Sequence, residues 1–193
     1  MKHLKLLVLI SSAFATLPAS AADSTMSGAQ YQAALDEVAA KYSADKSTCK
    51  AMSGNAKDIC MEESKGRERI AKAQLNQTYR PSASNQYSLG MAKATAAYAI
   101  AKETCDDVTG DAKSVCRTQA KTTFTKAKAD LELAQTSSST SAESKNKMAG
   151  AREEANEEKR EADYKLAKSK CELLADNAKD VCIKDAKRRF GQS

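Results

Sequence analysis

The chain has 193 residues, of which only 5% are aromatic and none is tryptophan. Alanine supplies much of the hydrophobic content. It buries little apolar area and is the best helix former. This composition excludes a thick globular core and predicts a thin, all-α protein. The formal net charge of +6 is spread over intermixed lysine, aspartate and glutamate residues, unlike the concentrated basic stripe of a nucleic-acid-binding protein.

The first 22 residues have the features of a secretory signal peptide. Lys2 and Lys5 precede an apolar stretch at residues 6–17, and the small residues at 19–21 fit the cleavage rule. A membrane anchor is disfavoured, because the stretch is too short to span a bilayer and no second one follows. We therefore expect removal of residues 1–22, no transmembrane segment, and a periplasmic location, with secretion as the alternative.

Three copies of one cysteine pattern follow. In each copy ten residues separate two cysteines, within the sequences KSTCKAMSGNAKDIC, KETCDDVTGDAKSVC and KSKCELLADNAKDVC. Such a repeat predicts one supersecondary unit per copy. An even number of cysteines in an exported chain predicts disulfides. The predicted pairs are Cys49–Cys60, Cys105–Cys116 and Cys171–Cys182.

Each cysteine pair is predicted to close an antiparallel helical hairpin. Apolar residues before each first cysteine recur at steps of four and three, as in a coiled-coil-like seam. The seam extends to Met52 in the first copy and Val108 in the second. A turn signal lies at the midpoint of each pair, so folding there brings the cysteines face to face. The competing geometry, one straight helix, separates Cys49 from Cys60 by about 16 Å and is disfavoured by the turn signals.

The predicted turns have the same composition in the three copies. A residue suited to the left-handed region is expected at the end of each first helix. The residue after it is expected to be the N-cap of the second helix. The left-handed positions are Gly54, Gly110 and Asp176, and the N-cap positions are Asn55, Asp111 and Asn177.

The mature chain is predicted to contain three hairpins in tandem, extended rather than built around one globular core. Hairpin 1 covers residues 23–80, hairpin 2 covers 81–135, a Ser/Thr linker covers 136–143, and hairpin 3 covers 144–193. Whether the hairpins stack or hang as separate units is left open by the sequence. The polar linker favours independent movement of hairpin 3.

Residues that commonly carry catalysis are missing from the mature sequence. The only histidine, His3, lies in the signal peptide, and there is no CxxC, Gly-rich phosphate loop or G-x-S-x-G motif. We therefore expect no enzymatic activity, no cofactor and no metal site. Copper binding through reduced cysteines and methionines is the weaker alternative, because the methionines are scattered rather than clustered.

One lysine recurs near the start of each second helix, where a cation opposes the helix dipole. The simpler interpretation is that its stem covers the neighbouring helix while its head reaches an acid or water. The alternative is that the three hairpin tips present this lysine to one anionic partner. The candidate partner-binding residues are Lys57, Lys113 and Lys179.

The text Lys-x-x-Cys … Asn-Ala-Lys-Asp-Val-Cys resembles small exported helical Cys-x10-Cys repeat proteins of Gram-negative bacteria. They are loosely labelled as envelope-biogenesis or TolA-like proteins. The resemblance covers the three cysteine motifs and implies location and fold, but no catalytic residue. The hairpins also look like mitochondrial coiled-coil-helix-coiled-coil-helix proteins. Those carry two disulfides per hairpin at nine-residue spacing, so we treat that likeness as convergence.

These features together favour a non-enzymatic structural or adaptor protein. It is expected to bind an envelope protein or an anionic envelope surface through helix faces and hairpin tips, and no nucleic acid. The alternative is a redox, stress-response or holdase-type protein with reversible thiols. A structural role requires disulfides that resist mild reductant, whereas a redox role requires an accessible thiol of low pKa.

Overall fold

The computed structural model describes residues 26–137 and 142–192. The predicted signal peptide and residues 138–141 of the predicted linker lie outside the described residues. Within the described ranges the protein is all-α, with a short 3-10 turn at Cys105–Asp107, and the predicted fold class is confirmed. The helices are α1 (Gly28–Lys50), α2 (Gly54–Tyr79), α3 (Ala83–Thr104), α4 (Gly110–Ser137), α5 (Ala142–Cys171) and α6 (Asp176–Phe190).

The six helices form three hairpins, each closed by the predicted disulfide. The Cα atoms of Cys49 and Cys60 are 5.5 Å apart, and the other two pairs are each at 5.6 Å. These separations are usual for a disulfide, and they exclude one straight helix through each cysteine pair. No free cysteine is present in the described chain. Three such bonds indicate an oxidising compartment, extracellular or periplasmic.

The turns differ in detail from the predicted ones. Gly54, Gly110 and Asp176 do adopt positive φ, at 60°, 61° and 47°. They begin the second helix of each hairpin, however, rather than ending the first, which stops several residues earlier. The N-cap predictions are wrong: the caps of α2 and α6 are Ser53 and Ala175 rather than Asn55 and Asn177, and Asp111 lies inside α4. The Asn55 amide is used elsewhere, in a contact with the next hairpin.

The hairpins pack side by side in chain order. Each helix makes its extensive contacts only with its neighbours in the chain, including α2 with α3 and α4 with α5. Asn55 Nδ2 donates to the Glu103 carbonyl at 2.8 Å, which joins hairpin 1 to hairpin 2. Thr122 Oγ1 donates to the Ala162 carbonyl at 3.1 Å, which joins hairpin 2 to hairpin 3. The array is therefore an extended row of alternating helices.

The contacts between α4 and α5 test whether hairpin 3 is joined to hairpin 2 by a flexible linker. Helix α4 continues to Ser137, and α5 begins at Ala142, so helix occupies both ends of the 136–143 stretch. Lys126 also forms an ion pair with Asp163 of α5, at 2.9 Å. Helix α5 therefore packs along α4, and the expectation that hairpin 3 moves independently of hairpin 2 is not supported.

Small side chains allow the helices of adjacent hairpins to approach closely. The buried positions on α3 and α4 include Ala92, Ala96 and Ala129. Gly66 of α2 is also buried, and a Cβ atom at this position would lie 2.8 Å from Ala96 Cβ. The alanine content that excludes a thick core therefore suits a single layer of closely spaced helices.

Candidate partner-binding surface

All three disulfide-closed turns lie at the same end of the array, because successive helices alternate in direction. We call this end the tip end. It carries the loops at residues 51–53, 108–109 and 172–175. The first and second tips touch: Asn55 Nδ2 also donates to Asp107 Oδ1 at 2.8 Å. These two tips therefore form one surface, and the third tip lies at the same end of the array.

The exposed large hydrophobic side chains of the described residues are all at or next to this end. Their exposed fractions range from 39% to 64%, whereas isolated apolar residues on a surface are ordinarily scattered. We call this set the tip surface. It consists of Met52, Val108, Leu173, Leu174 and Val181.

The tip surface corrects one part of the predicted seam. Met52 and Val108 were expected on the buried seam, but they are 45% and 39% exposed. The reason is that α1 ends at Lys50 and α3 ends at Thr104, so both residues lie beyond the helices that carry the seam. Leu174 occupies the same position in the third copy, three residues after the first cysteine.

Val181 is exposed because hairpin 3 ends the array. Its counterparts in the first two hairpins, Ile59 and Val115, directly precede the second cysteine and are half-buried. Helices α2 and α4, which carry these counterparts, are each covered by the first helix of the next hairpin. No helix of the described chain follows α6, so Val181 adds to the apolar area that Leu173 and Leu174 expose at the third tip.

The three candidate lysines lie at the tip end but are not equivalent. Lys113 Nζ lies 3.3 Å from Asp106 Oδ1, and Lys179 forms an ion pair with Glu172. Each acid directly follows the first cysteine of its own hairpin. For these two lysines the simpler interpretation, a head group that reaches an acid, is the one the structure favours.

Arg117 strengthens the ion pair at the second tip. Its Nη2 donates to Asp106 Oδ1 at 2.7 Å. This hydrogen bond, together with the nearby Lys113, holds the pKa of the Asp106 carboxyl below its usual range. At the third tip, the hydrogen bond to Glu172 raises the pKa of Lys179. Lys113 and Lys179 are therefore each paired with an acid, and Lys113 shares its acid, Asp106, with Arg117.

The first tip differs because Lys50 stands where the other two copies have an acid. Lys57 is exposed, and among the described side chains it has no carboxylate partner within 4 Å, unlike Lys113 and Lys179. The first tip consequently presents two cations, Lys50 and Lys57. Lys50 is missed when only conserved positions of the repeat are compared, although an alignment of the three copies shows it.

The two cysteines of each disulfide differ in exposure. The first cysteines, Cys49, Cys105 and Cys171, are at most 1% exposed. Their partners in the second helices are half-buried. The second-helix cysteines, Cys60, Cys116 and Cys182, are therefore the more accessible residues of the three disulfides.

Other kinds of site lack support within residues 26–137 and 142–192. No cluster of three histidine, cysteine, aspartate or glutamate residues in these ranges is placed to hold a metal ion. None of the helices described here combines the length and the apolar character needed to cross a bilayer. No protein-family model matches the chain, and neither does any curated protein or solved structure.

Proposed function

We propose that this protein is a non-enzymatic adaptor of the periplasm that binds an envelope partner through its tip end. The observation that carries the proposal is the position of the tip surface. Exposed apolar area on a soluble protein marks an interaction site when it is concentrated in one region. Here the disulfides fix the turns that present it, so little conformational entropy is lost on binding.

Two cations of the first tip support an anionic partner, although the tip end as a whole also carries exposed acids such as Asp58 and Asp180. Lys57 and Lys50 are uncompensated at the first tip, whereas the second and third tips carry internal ion pairs. A partner with carboxylate or phosphate groups next to an apolar patch fits this arrangement, since complementary charge sets orientation and association rate. An envelope protein and an anionic envelope surface both have this chemistry.

Site-specific photo-crosslinking in the exporting cell tests this proposal. A photoreactive amino acid at Val108 is expected to give one discrete crosslinked species. The matched control position is Ser84, which is exposed and lies at the start of α3, at the other end of the array. Equal crosslinking from both positions, or none from Val108, contradicts an adaptor role for the tip end.

Lys57 has no acidic partner, whereas Lys113 and Lys179 each have one, and this difference gives a second expected result. Lys57→Gln is expected to lower the yield of the Val108 crosslink about twofold to fivefold, which corresponds to the loss of one exposed ion pair. Lys113→Gln is the matched control, and it is expected to have a smaller effect because Lys113 is already engaged by Asp106 within its own hairpin. A larger effect from Lys113→Gln refutes the assignment of the anion-facing cation to the first tip.

A redox role is the second candidate, and the partial exposure of the second-helix cysteines favours it. We expect the structural role to prevail, because one cysteine of every disulfide is buried. Native protein treated with a thiol-trapping reagent under mild reductant is expected to show no labelled cysteine by peptide mass spectrometry. Selective labelling of Cys60, Cys116 or Cys182 makes reversible thiol chemistry the leading function.

A further inference from the structure

Hairpin 2 carries an apolar groove on one face of the array, between α3 and α4. The groove has a volume of about 650 Å³. Its lining includes the Cys105–Cys116 disulfide, and its wall includes the stacked rings of Tyr98 and Phe124, whose centroids are 5.2 Å apart. None of the residues that line the groove is charged.

Hairpin 1 shows how the same position is filled in another copy of the repeat. Its corresponding groove is smaller, about 360 Å³, and is lined by Asp45 and Arg67. Arg67 Nε donates to Asp45 Oδ2 at 3.1 Å, and Arg67 Nη2 donates to Ser64 Oγ at 3.1 Å. In hairpin 2 the residues at the positions of Asp45 and Arg67 are Ala101 and Thr123. The groove of hairpin 2 is therefore the space left where an ion pair is replaced by small side chains.

The groove offers little for recognition of a polar ligand. Thr104 Oγ1 donates to the Ile100 carbonyl at 2.9 Å, and Thr123 Oγ1 donates to the Gln119 carbonyl at 3.1 Å. Both hydroxyl donors are thus used within their own helices. The other polar groups of the lining are the Tyr98 hydroxyl and the Gln119 amide. A charged group placed here would lose hydration without gaining an ion-pair partner, so the complementary ligand surface is mainly hydrocarbon.

The surroundings of the groove limit the width of that ligand. The stripe of α4 that contains Gln119 and Thr123 continues with Lys126 and Asp130, at helical spacing. Both of these residues form ion pairs with α5. A partner helix, about 10 Å in diameter, would cover these ion pairs, whereas a single alkyl chain fits between them and α3. From Ala94 to Thr104 the groove runs along about 15 Å of helix.

We propose that the groove of hairpin 2 binds the hydrocarbon chain of a single-chain fatty acid. The chain lies along α3 and α4 against the disulfide and the Tyr98–Phe124 stack, and the carboxylate remains in solvent because the groove is open. This inference goes beyond the adaptor function and does not depend on the tip surface, so either can fail without the other.

Calorimetric titration of the mature protein with dodecanoate, below its micelle concentration, tests the proposal. One saturable site per chain is expected. The double substitution Ala101→Asp/Thr123→Arg copies the ion pair of hairpin 1 into hairpin 2 and is expected to weaken binding at least tenfold. Because hairpin 1 accommodates the same pair beside the same kind of disulfide, we expect this variant to fold, which a thermal melt by circular dichroism checks.

A matched control separates filling of the groove from a general effect of two new charges. Ser84→Asp/Ser88→Arg adds the same residues at exposed positions of α3 and is expected to bind dodecanoate as the native protein does. Equal affinity of the groove variant and the native protein overturns the proposal, and so does the absence of saturable binding.

Two further measurements distinguish other occupants. If light scattering shows a native dimer that the groove variant converts to a monomer, the groove holds a second copy of the chain and the proposal is wrong. If diacyl phosphatidylglycerol vesicles bind the native protein but not the groove variant, while dodecanoate binds neither, the source is a lipid surface and the proposal is again wrong. Monomeric native protein that binds dodecanoate supports it.

Discussion

Replacing Cys105 and Cys116 together with alanine is expected to lower the free energy of unfolding of the array by about 3 kcal/mol. A disulfide across a loop of about a dozen residues restricts the unfolded chain by an amount of this size. Hairpin 2 also lies at the centre of the array, with α2 packed on α3 and α5 packed on α4. Urea denaturation followed by circular dichroism measures the change.

The same change in hairpin 3 is expected to act locally, although its loop has the same length. Helix α6 has only 15 residues, and its extensive contacts are with α5 alone. Replacing Cys171 and Cys182 with alanine should therefore release α6 while α1 to α4 stay folded. Hydrogen exchange measures this as a loss of protection confined to α6. Equal loss of protection across all helices in this variant contradicts the local role.

Gly66→Val is expected to destabilise the protein by about 2 kcal/mol through the contact between hairpins 1 and 2. A Cβ atom at this position meets Ala96 Cβ at 2.8 Å. Both helices are fixed by their own disulfides, so they relax only partly, and overpacking of this kind typically costs about 1–3 kcal/mol. Thermal and urea denaturation of the variant measure the loss.

Gly150→Ala in α5 is the matched control for this substitution. No atom lies within 4 Å of a Cβ built at Gly150, and alanine is favoured over glycine in a helix by about 1 kcal/mol. We therefore expect this variant to be slightly more stable than the native protein. If Gly66→Val is as stable as the native protein, close packing of α2 on α3 does not limit stability.

The hairpins could be predicted from the sequence because the information that defines them is local. Cys49 lies five residues before Gly54, and Cys60 lies five residues after Asn55. The other two copies of the repeat have the same symmetric spacing. The disulfide then follows from helix geometry alone. Compositional evidence for helix points the same way, since alanine is abundant and glycine and proline are scarce.

The packing between hairpins could not be predicted in the same way. It depends on small residues such as Gly66 and Ala96, which carry little hydrophobic signal, and on polar contacts such as Asn55 to Glu103. The helix-capping role predicted for Asn55 is a local alternative to that contact, and the tertiary contact prevails. Sequence alone therefore left open whether the hairpins stack.

The candidate site was only partly predictable for a related reason. Apolar periodicity indicates which side of a helix is apolar, but it does not indicate where the helix ends, so Met52 and Val108 were placed on a buried seam. The three lysines look alike in the repeat, yet whether each is paired with an acid depends on the residue after the first cysteine of its hairpin. That residue is Lys50 in one copy and an acid in the others.

Disulfides that join consecutive cysteines, in helices that pack on their chain neighbours, also have a consequence for biogenesis. When the chain is exported with its N-terminus first, the first, third and fifth cysteines each pair with the next cysteine to appear. Oxidation in order of emergence therefore yields the native set directly, and this route uses a thiol oxidant without a disulfide isomerase. Low contact order of this kind also permits rapid folding of each hairpin before the next one is complete.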